Sequence, residues 1–330
     1  MQKFEDCLSE CEALELSKSV LLGNGFSMDW GHETFNYQNL YDRADFGTHQ
    51  ESLEKLFEAF ETYDFERVMR VLLDAQQVAE SHSICNDLSE LATTEIGILR
   101  NALINVITDS HPESSIAIKP QEYSFVVSFL ANFNKYFTLN YDLLLYWVAN
   151  EYKLQLGIDD GFRRPDGELK WCAPDKQNLF FLHGALHLFD LGNSIRKHTQ
   201  IEHGRILDSV TENLSDDIFP LFVSEPSAEL KHQKMIHNPY LNHCYRSLSE
   251  INGALFIFGL SFNDNDDHIF QALHEISEER LPKVFVGIFG SDQTPQNRKI
   301  IGKAISIFGN NNRVVFFDSG SANVWGNQSP

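Results

Sequence analysis

No two cysteines stand at CxxC spacing in this 330-residue chain. Its five cysteines, Cys7, Cys11, Cys85, Cys172 and Cys244, cannot build a four-cysteine zinc ribbon at the usual spacing and read as reduced thiols. No apolar run approaches the ~18 residues that cross a bilayer. The opening stretch, MQKFEDCLSECEALEL, is acidic and is not a signal peptide. There is no HExxH pair, no Gly-x-Ser-x-Gly elbow and no GxxxxGK(S/T) loop, so metallopeptidase, serine hydrolase and Walker-type NTPase chemistry have no support. The acidic run 264–267 lacks the glycine and distal glutamate of a calcium loop. Positive charge is scarce: 26 Lys+Arg face 47 Asp+Glu, a net charge of −21. Such a chain repels phosphate backbones, which argues against direct nucleic-acid binding and requires any bound nucleotide to be held by a local site.

What is present is a series of short apolar runs at 19–22, 136–139, 179–182, 218–223, 254–258, 283–288 and 313–317. They are continuous rather than alternating, as in strands covered on both faces. Most lead through a polar or glycine-bearing turn into a helical pattern, which predicts an α/β fold: a Rossmann-like parallel sheet. One interval breaks the rhythm. Between the first strand and Tyr136 the apolar residues recur at helical spacing, as with Leu53, Leu56, Phe57 and Phe60, then Val68, Val71 and Leu72, then Leu88, Leu91, Ile98, Leu99 and Leu103. Residues 32–130 are therefore expected to form a large, mainly helical insertion within a single domain spanning 1–330. The small polar tail 320–330 is expected to fray.

Ligands of open parallel sheets bind beyond the carboxyl ends of the strands, so the residues delivered there matter most. The first strand delivers Gly23-Asn24-Gly25-Phe26-Ser27, whose glycines suit either a phosphate or an ordinary strand-to-helix turn. Met28 stands where a dinucleotide fingerprint has its third small residue, and no acid ends a second strand about twenty residues on, which weakens a dehydrogenase reading. The second delivers Asn140-Tyr141-Asp142: an amide that can orient a water or hydroxyl, and an acid whose default role is a helix cap. The third delivers His183-Gly184. His187, His198, His203, His232, His237 and His243 fall in stretches that read as helix or loop and suit surface groups. The strand 254–258 delivers Gly259-Leu260-Ser261-Phe262 and then the acidic run, where Asp266 and Asp267 read as helix-capping charge.

The ordered set GNGFS, TLNYD, LHG and GLSF-ND resembles the sirtuin-like NAD-consuming family. Phe222-Val223-Ser224-Glu225, Lys231 and Asn238-Pro239-Tyr240-Leu241 look like a bacterial branch of it that lacks the zinc module. The resemblance implies that Gly23, Asn24 and Gly25, with Ser27 nearby, bind the NAD pyrophosphate. It implies that Asn140 contacts the nicotinamide ribose and positions water with support from Asp142. His183 would act as base, and Gly259 and Ser261 would hold the adenosine half. Without the cysteine module and the Pro-Asp-Phe-Arg loop of the deacylases, it implies NAD hydrolysis rather than deacylation, with NAD as substrate and no metal. That is the profile of a cytoplasmic anti-phage effector, held in check as a homo-oligomer or by a nucleotide-sensing or ATPase partner subunit. The other readings are a non-catalytic nucleotide-binding module of the same fold and an ADP-ribosyltransferase.

Overall fold

A computed structural model describes residues 1–82, 86–199, 206–215, 218–309 and 312–326. Among them the strands are β1 (Lys18–Leu22), β2 (Lys135–Thr138), β3 (Phe162–Arg163), β4 (Lys170–Trp171), β5 (Leu179–Phe181), β6 (Gly184–Asp190), β7 (Ile195–Lys197), β8 (Pro220–Phe222), β9 (Ala254–Phe258), β10 (Lys283–Ile288) and β11 (Val314–Asp318). Six of them form an all-parallel sheet in the order β11-β10-β9-β1-β2-β5. The chain runs outward from β1 through β2 to β5, then returns to the other side of β1 and runs outward through β9, β10 and β11. This is the Rossmann order, and its reversal lies between β1 and β9, where such sheets open a ligand crevice. The central strands are buried almost throughout, which explains their unbroken apolar sequence.

Capping residues mark where helices begin. Thr294 accepts from Asn297 N (3.2 Å) with Pro295 at the first helical position of Pro295–Phe308. Asn238 accepts from Tyr240 N and Leu241 N at the start of Pro239–Ser249. The interval between β1 and β2 holds no strand among the described residues. It carries helices His32–Phe35, Tyr37–Arg43, Gln50–Ala59, Phe65–His82, Asn86–Ser110 and Pro120–Leu130. Their buried residues, among them Leu53, Phe57, Phe65, Val68 and Leu99, pack into the same apolar core as the sheet.

Two expectations are corrected. The run 218–223 does not join the parallel sheet. Its β8 pairs antiparallel with β6 at the edge of a second, five-stranded sheet ordered β3-β4-β7-β6-β8. Gly184 makes that pairing possible: its φ is +79°, and a Cβ there would lie 1.8 Å from the Leu221 carbonyl oxygen. The tail is also anchored further than its composition suggests. Trp325 is buried, donates from Nε1 to the Phe26 carbonyl (2.8 Å) and packs on the Phe26 ring at 5.2 Å. Residues 327–330 lie outside the described residues.

Trp325 thus ties the end of the chain to the helix that follows β1. Trp325→Ala should lower the unfolding free energy by about 3–5 kcal/mol, as other buried aromatic truncations do. Denaturant titration reads this directly; an unchanged midpoint would mean that the tail contributes no packing.

Candidate functional site

All four strand-end segments singled out in the sequence lie on the carboxyl edge of the parallel sheet, on the adjacent strands β9, β1, β2 and β5. Thr138 of β2 is in register with Phe181 of β5. Asn140 and His183 therefore each stand two residues beyond a paired position on neighbouring strands. Leu182 N still bonds to Thr138 O (2.9 Å), so the two chains leave the sheet together.

The side chains at the β1–β2 corner form one hydrogen-bonded chain. Asn140 Nδ2 donates to Ser27 Oγ (2.8 Å), and Ser27 Oγ donates to Asp142 Oδ2 (2.5 Å). Asp142 Oδ1 accepts from Leu144 N (2.9 Å); the N-cap position of the helix Leu144–Glu151 is held by Leu143, so Asp142 sits one residue ahead of it. Burial raises the Asp142 carboxyl pKa, against the opposing bonds from Ser27 and Leu144 N. His111, from the insertion, braces the next turn. Its Nε2 accepts from Leu143 N (2.9 Å), its Nδ1 faces the Pro112 carbonyl (3.1 Å), and its ring stands edge-on to Trp147 at 4.8 Å. This fixes the tautomer: the proton is on Nδ1.

The glycine turn serves a tighter purpose than an open phosphate cradle would require. Gly23 N bonds to Phe258 O and Gly25 N to Gly259 O, both at 2.9 Å. A Cβ on Gly25 would lie 2.5 Å from the Gly259 Cα, and one on Gly23 would lie 2.4 Å from a Leu260 methyl. The turns after β1 and β9 are therefore in backbone contact at the switch point, with Gly259 at φ +72°. Asn24 Nδ2 donates to the Phe35 carbonyl (3.1 Å), fastening the turn to the insertion. Ser261 is exposed at the rim, and Phe262 beside it holds φ +55° while its ring stacks on Phe270 at 4.7 Å. A bulky residue in that region of the Ramachandran map is strained, a feature that clusters at functional sites.

At the β2–β5 end, His183 Nε2 lies 3.0 Å from His268 Nε2, and the Tyr141 ring stacks on His183 at 6.2 Å. Both imidazoles are buried. Burial, then the charge of Lys231, pulls their pKa values down, that of His268 to about 3. Lys231 Nζ is buried and donates to Glu66 Oε2 (2.7 Å) and to Asp266 Oδ1 (3.3 Å). Burial alone would lower its pKa, but the two carboxylates outweigh it and raise the ammonium above its ordinary value. Burial lifts Glu66 to about 7 even beside that cation. Tyr141 Oη donates to the Val223 carbonyl (2.5 Å) and lies 3.3 Å from Glu66 Oε1. Next to Val223, the Ser224 hydroxyl is buried with no hydrogen-bond partner among the described residues, and so is one carboxylate oxygen of Glu225. A cleft of about 290 Å³ opens beside Lys234, lined also by Asp190, Leu221 and Asn238.

The structure thus gathers Ser27, Asn140 and Asp142 in one chain and His183 in an adjoining aromatic cluster. Asp266 stands at the N-cap of Asp267–His274 and Asp267 in its first turn, as expected of helix-capping charge, though Asp266 makes no side-chain cap bond; their carboxylates also hold Lys231 and Lys303, the latter at 2.6 Å. One reading changes. His187 is not a surface group. It lies in β6, fully buried, stacked on Tyr146 at 4.1 Å, with neither ring nitrogen hydrogen-bonded among the described residues. His203 and Cys85 lie outside the described residues. Sequence reasoning missed His268, Glu66 and Tyr141. His268 was hidden in an acidic run, and Glu66 sits 165 residues from its partner.

Four buried imidazoles with depressed pKa values make stability depend on pH: His111 (to about 4), His183, His187 and His268. A group whose folded pKa lies below its unfolded value stabilises fully above the unfolded pKa, near 6.5, and loses that contribution as the pH falls. The slope is up to about 1.4 kcal/mol per pH unit for each group. Glu66 and Asp142, shifted upward, act in the opposite sense. His111→Gln keeps an acceptor for Leu143 N and removes one titrating group. Its unfolding free energy should therefore fall less steeply than that of the wild type between pH 6.5 and 5, by up to one proton's worth. Parallel slopes would contradict the assignment.

Among the described residues no helix is long and apolar enough to cross a membrane. No curated protein matches the sequence. A family model described as a domain of unknown function (DUF4917) matches residues 20–325, from the first strand to the buried Trp325, and the chain belongs to that family.

Proposed function

We propose that the carboxyl edge of the parallel sheet binds NAD and hydrolyses its nicotinamide–ribose bond, giving nicotinamide and ADP-ribose. The observation that supports this best is the placement of Asn140 and His183 at matching positions on adjacent strands, each tied into a buried polar network. The switch-point topology supports a dinucleotide as ligand.

The chemistry asks little of a base. Nicotinamide leaves NAD as a neutral molecule, so its departure needs no general acid. The transition state is oxocarbenium-like, as in other glycosidic cleavages. Water adds to the anomeric carbon, the C–N electron pair leaves with nicotinamide, and the water's second proton passes to a base and then to solvent. Asn140 orients the ribose hydroxyl or the water through its amide, and Ser27 and Asp142 hold that amide in place. His183 stays neutral at physiological pH and is a weak base, which suits a water that attacks a formed cation. In the His183–His268 pair one Nε2 donates and the other accepts. When His183 is the Nε2 donor to His268, its Nδ1 lone pair is left for the water. Gly23, Asn24 and Gly25 shape the switch point, and Gly259 and Ser261 line its far side toward the adenosine. The cellular role that fits is a cytoplasmic defence effector that depletes NAD when a regulatory partner or self-assembly opens the site.

Asn140→Ala and His183→Ala should each lower nicotinamide release by about 10²–10⁴-fold, measured by chromatography of products at enzyme concentrations near those of NAD. A near-wild-type rate in either variant removes that residue from the mechanism. Binding of NAD without any nicotinamide release by the wild type would favour a non-catalytic nucleotide-binding module, and transfer of label from NAD to protein would favour an ADP-ribosyltransferase.

A further inference from the structure

If NAD binds at this edge, its pyrophosphate brings two negative charges into a region already crowded with carboxylates. Asp64, Glu66, Asp142, Glu225 and Asp266 all belong to the segments around it, and the chain as a whole carries −21. The turn amides of Gly23 and Gly25, the natural candidates to answer that charge, already bond to Phe258 O and Gly259 O. A nearby cation is the other group that can meet the phosphates.

Two buried or half-buried ammonium groups stand close by. Lys234 donates to the Phe222 carbonyl (2.5 Å) and to Glu225 (2.7 Å). Lys231 is the more deeply placed, with a side chain 1% exposed, and its charge acts on both His183 and His268. Its two carboxylate partners come from separate parts of the chain. Glu66 begins the insertion helix Phe65–His82, and Asp266 closes the short 3-10 turn Asp264–Asp266 that follows β9. Neither contact is required to build the sheet. A buried ion pair of this kind adds little net stability, because desolvation offsets the attraction, and such pairs are best attested as switches and registers.

We propose that Lys231 is the cation that receives the phosphate charge of the nucleotide, and that Glu66 and Asp266 are resident carboxylates which the phosphates displace. This rests on the reading of the edge as a nucleotide site and adds to it the residue that selects a polyanionic ligand. Phosphate oxygens make charge-assisted bonds to an ammonium as carboxylates do. A displaced Glu66 can take up a proton near neutrality instead of remaining a bare buried anion, which eases the exchange. Because Glu66 belongs to the insertion, release of Lys231 loosens the insertion from the sheet edge, so binding and insertion position are coupled and each favours the other.

The test is the affinity for ADP-ribose, measured by calorimetry on the full chain. Glu66→Gln and Asp266→Asn should each bind about tenfold more tightly than the wild type, since one competitor for Lys231 has lost its charge. Lys231→Met should bind at least about tenfold more weakly. Glu229→Gln is the control for loss of a negative charge. It is on the same helix as Lys231, exposed and 3.8 Å from Arg70, and its affinity should not change. Should Lys231→Met fail to fold by circular dichroism, the two carboxylate variants still decide. Wild-type binding with no tightening in Glu66→Gln or Asp266→Asn overturns the assignment of Lys231 and leaves the nucleotide reading standing. Absence of ADP-ribose binding by the wild type and all folded variants overturns both.

Discussion

The turns after β1 and β9 touch backbone to backbone, and much else at the carboxyl edge follows from that contact. Gly25 and Gly259 come close enough that a methyl on either would overlap the other's main chain. Two turn amides are bonded across the switch point as a result. In a sheet of this topology the crevice at the reversal usually answers an anion with free backbone N–H groups. On the proposed nucleotide reading, that duty would pass to side chains, first among them the buried cation at Lys231.

The edge is assembled from pieces distant in sequence. Helix Gly25–Trp30 carries Ser27 to Asn140 and Asp142, the insertion sends His111 and Glu66, and the turn after β9 sends Asp266 and His268. The parallel sheet is a rigid frame, while the groups that complete the site sit on short helices and turns that pack against it. Loops on a rigid scaffold are where binding and catalytic groups concentrate. Burial sets the chemistry of these groups: the imidazoles of His111, His183 and His268 are held neutral, the carboxyls of Glu66 and Asp142 shift upward, and Lys231 keeps its charge through two ion pairs.

The frame was legible because central parallel strands are written as unbroken apolar runs. The runs 254–258 and 283–288 coincide with β9 and β10, and 19–22, 136–139, 179–182 and 313–317 fall within a residue of β1, β2, β5 and β11. The helical interval was legible through its period. The second sheet was not. Phe162–Arg163 and Lys170–Trp171 are two-residue strands with no pattern to read, and β6 carries His187 in its middle, which made the stretch read as helix or loop. Asn140 and His183 stood out because strand ends were inspected one by one. The ion pairs of Lys231 and the contact of His183 with His268 are tertiary facts; no local pattern links residues 66, 231 and 266. The left-handed turn at Gly184, which serves close strand pairing with Leu221, is likewise a tertiary fact.

Hydrogen exchange with and without ADP-ribose tests the central claim most directly, because it locates the nucleotide without depending on turnover. The account predicts slowed exchange in the segments that meet at the carboxyl edge, 23–27, 138–144, 183–185, 224–231 and 259–268, and little change in the second sheet around β4 and β7. Protection confined to the cleft beside Asp190 and Asn238, or to the outer faces of the insertion helices, would contradict it.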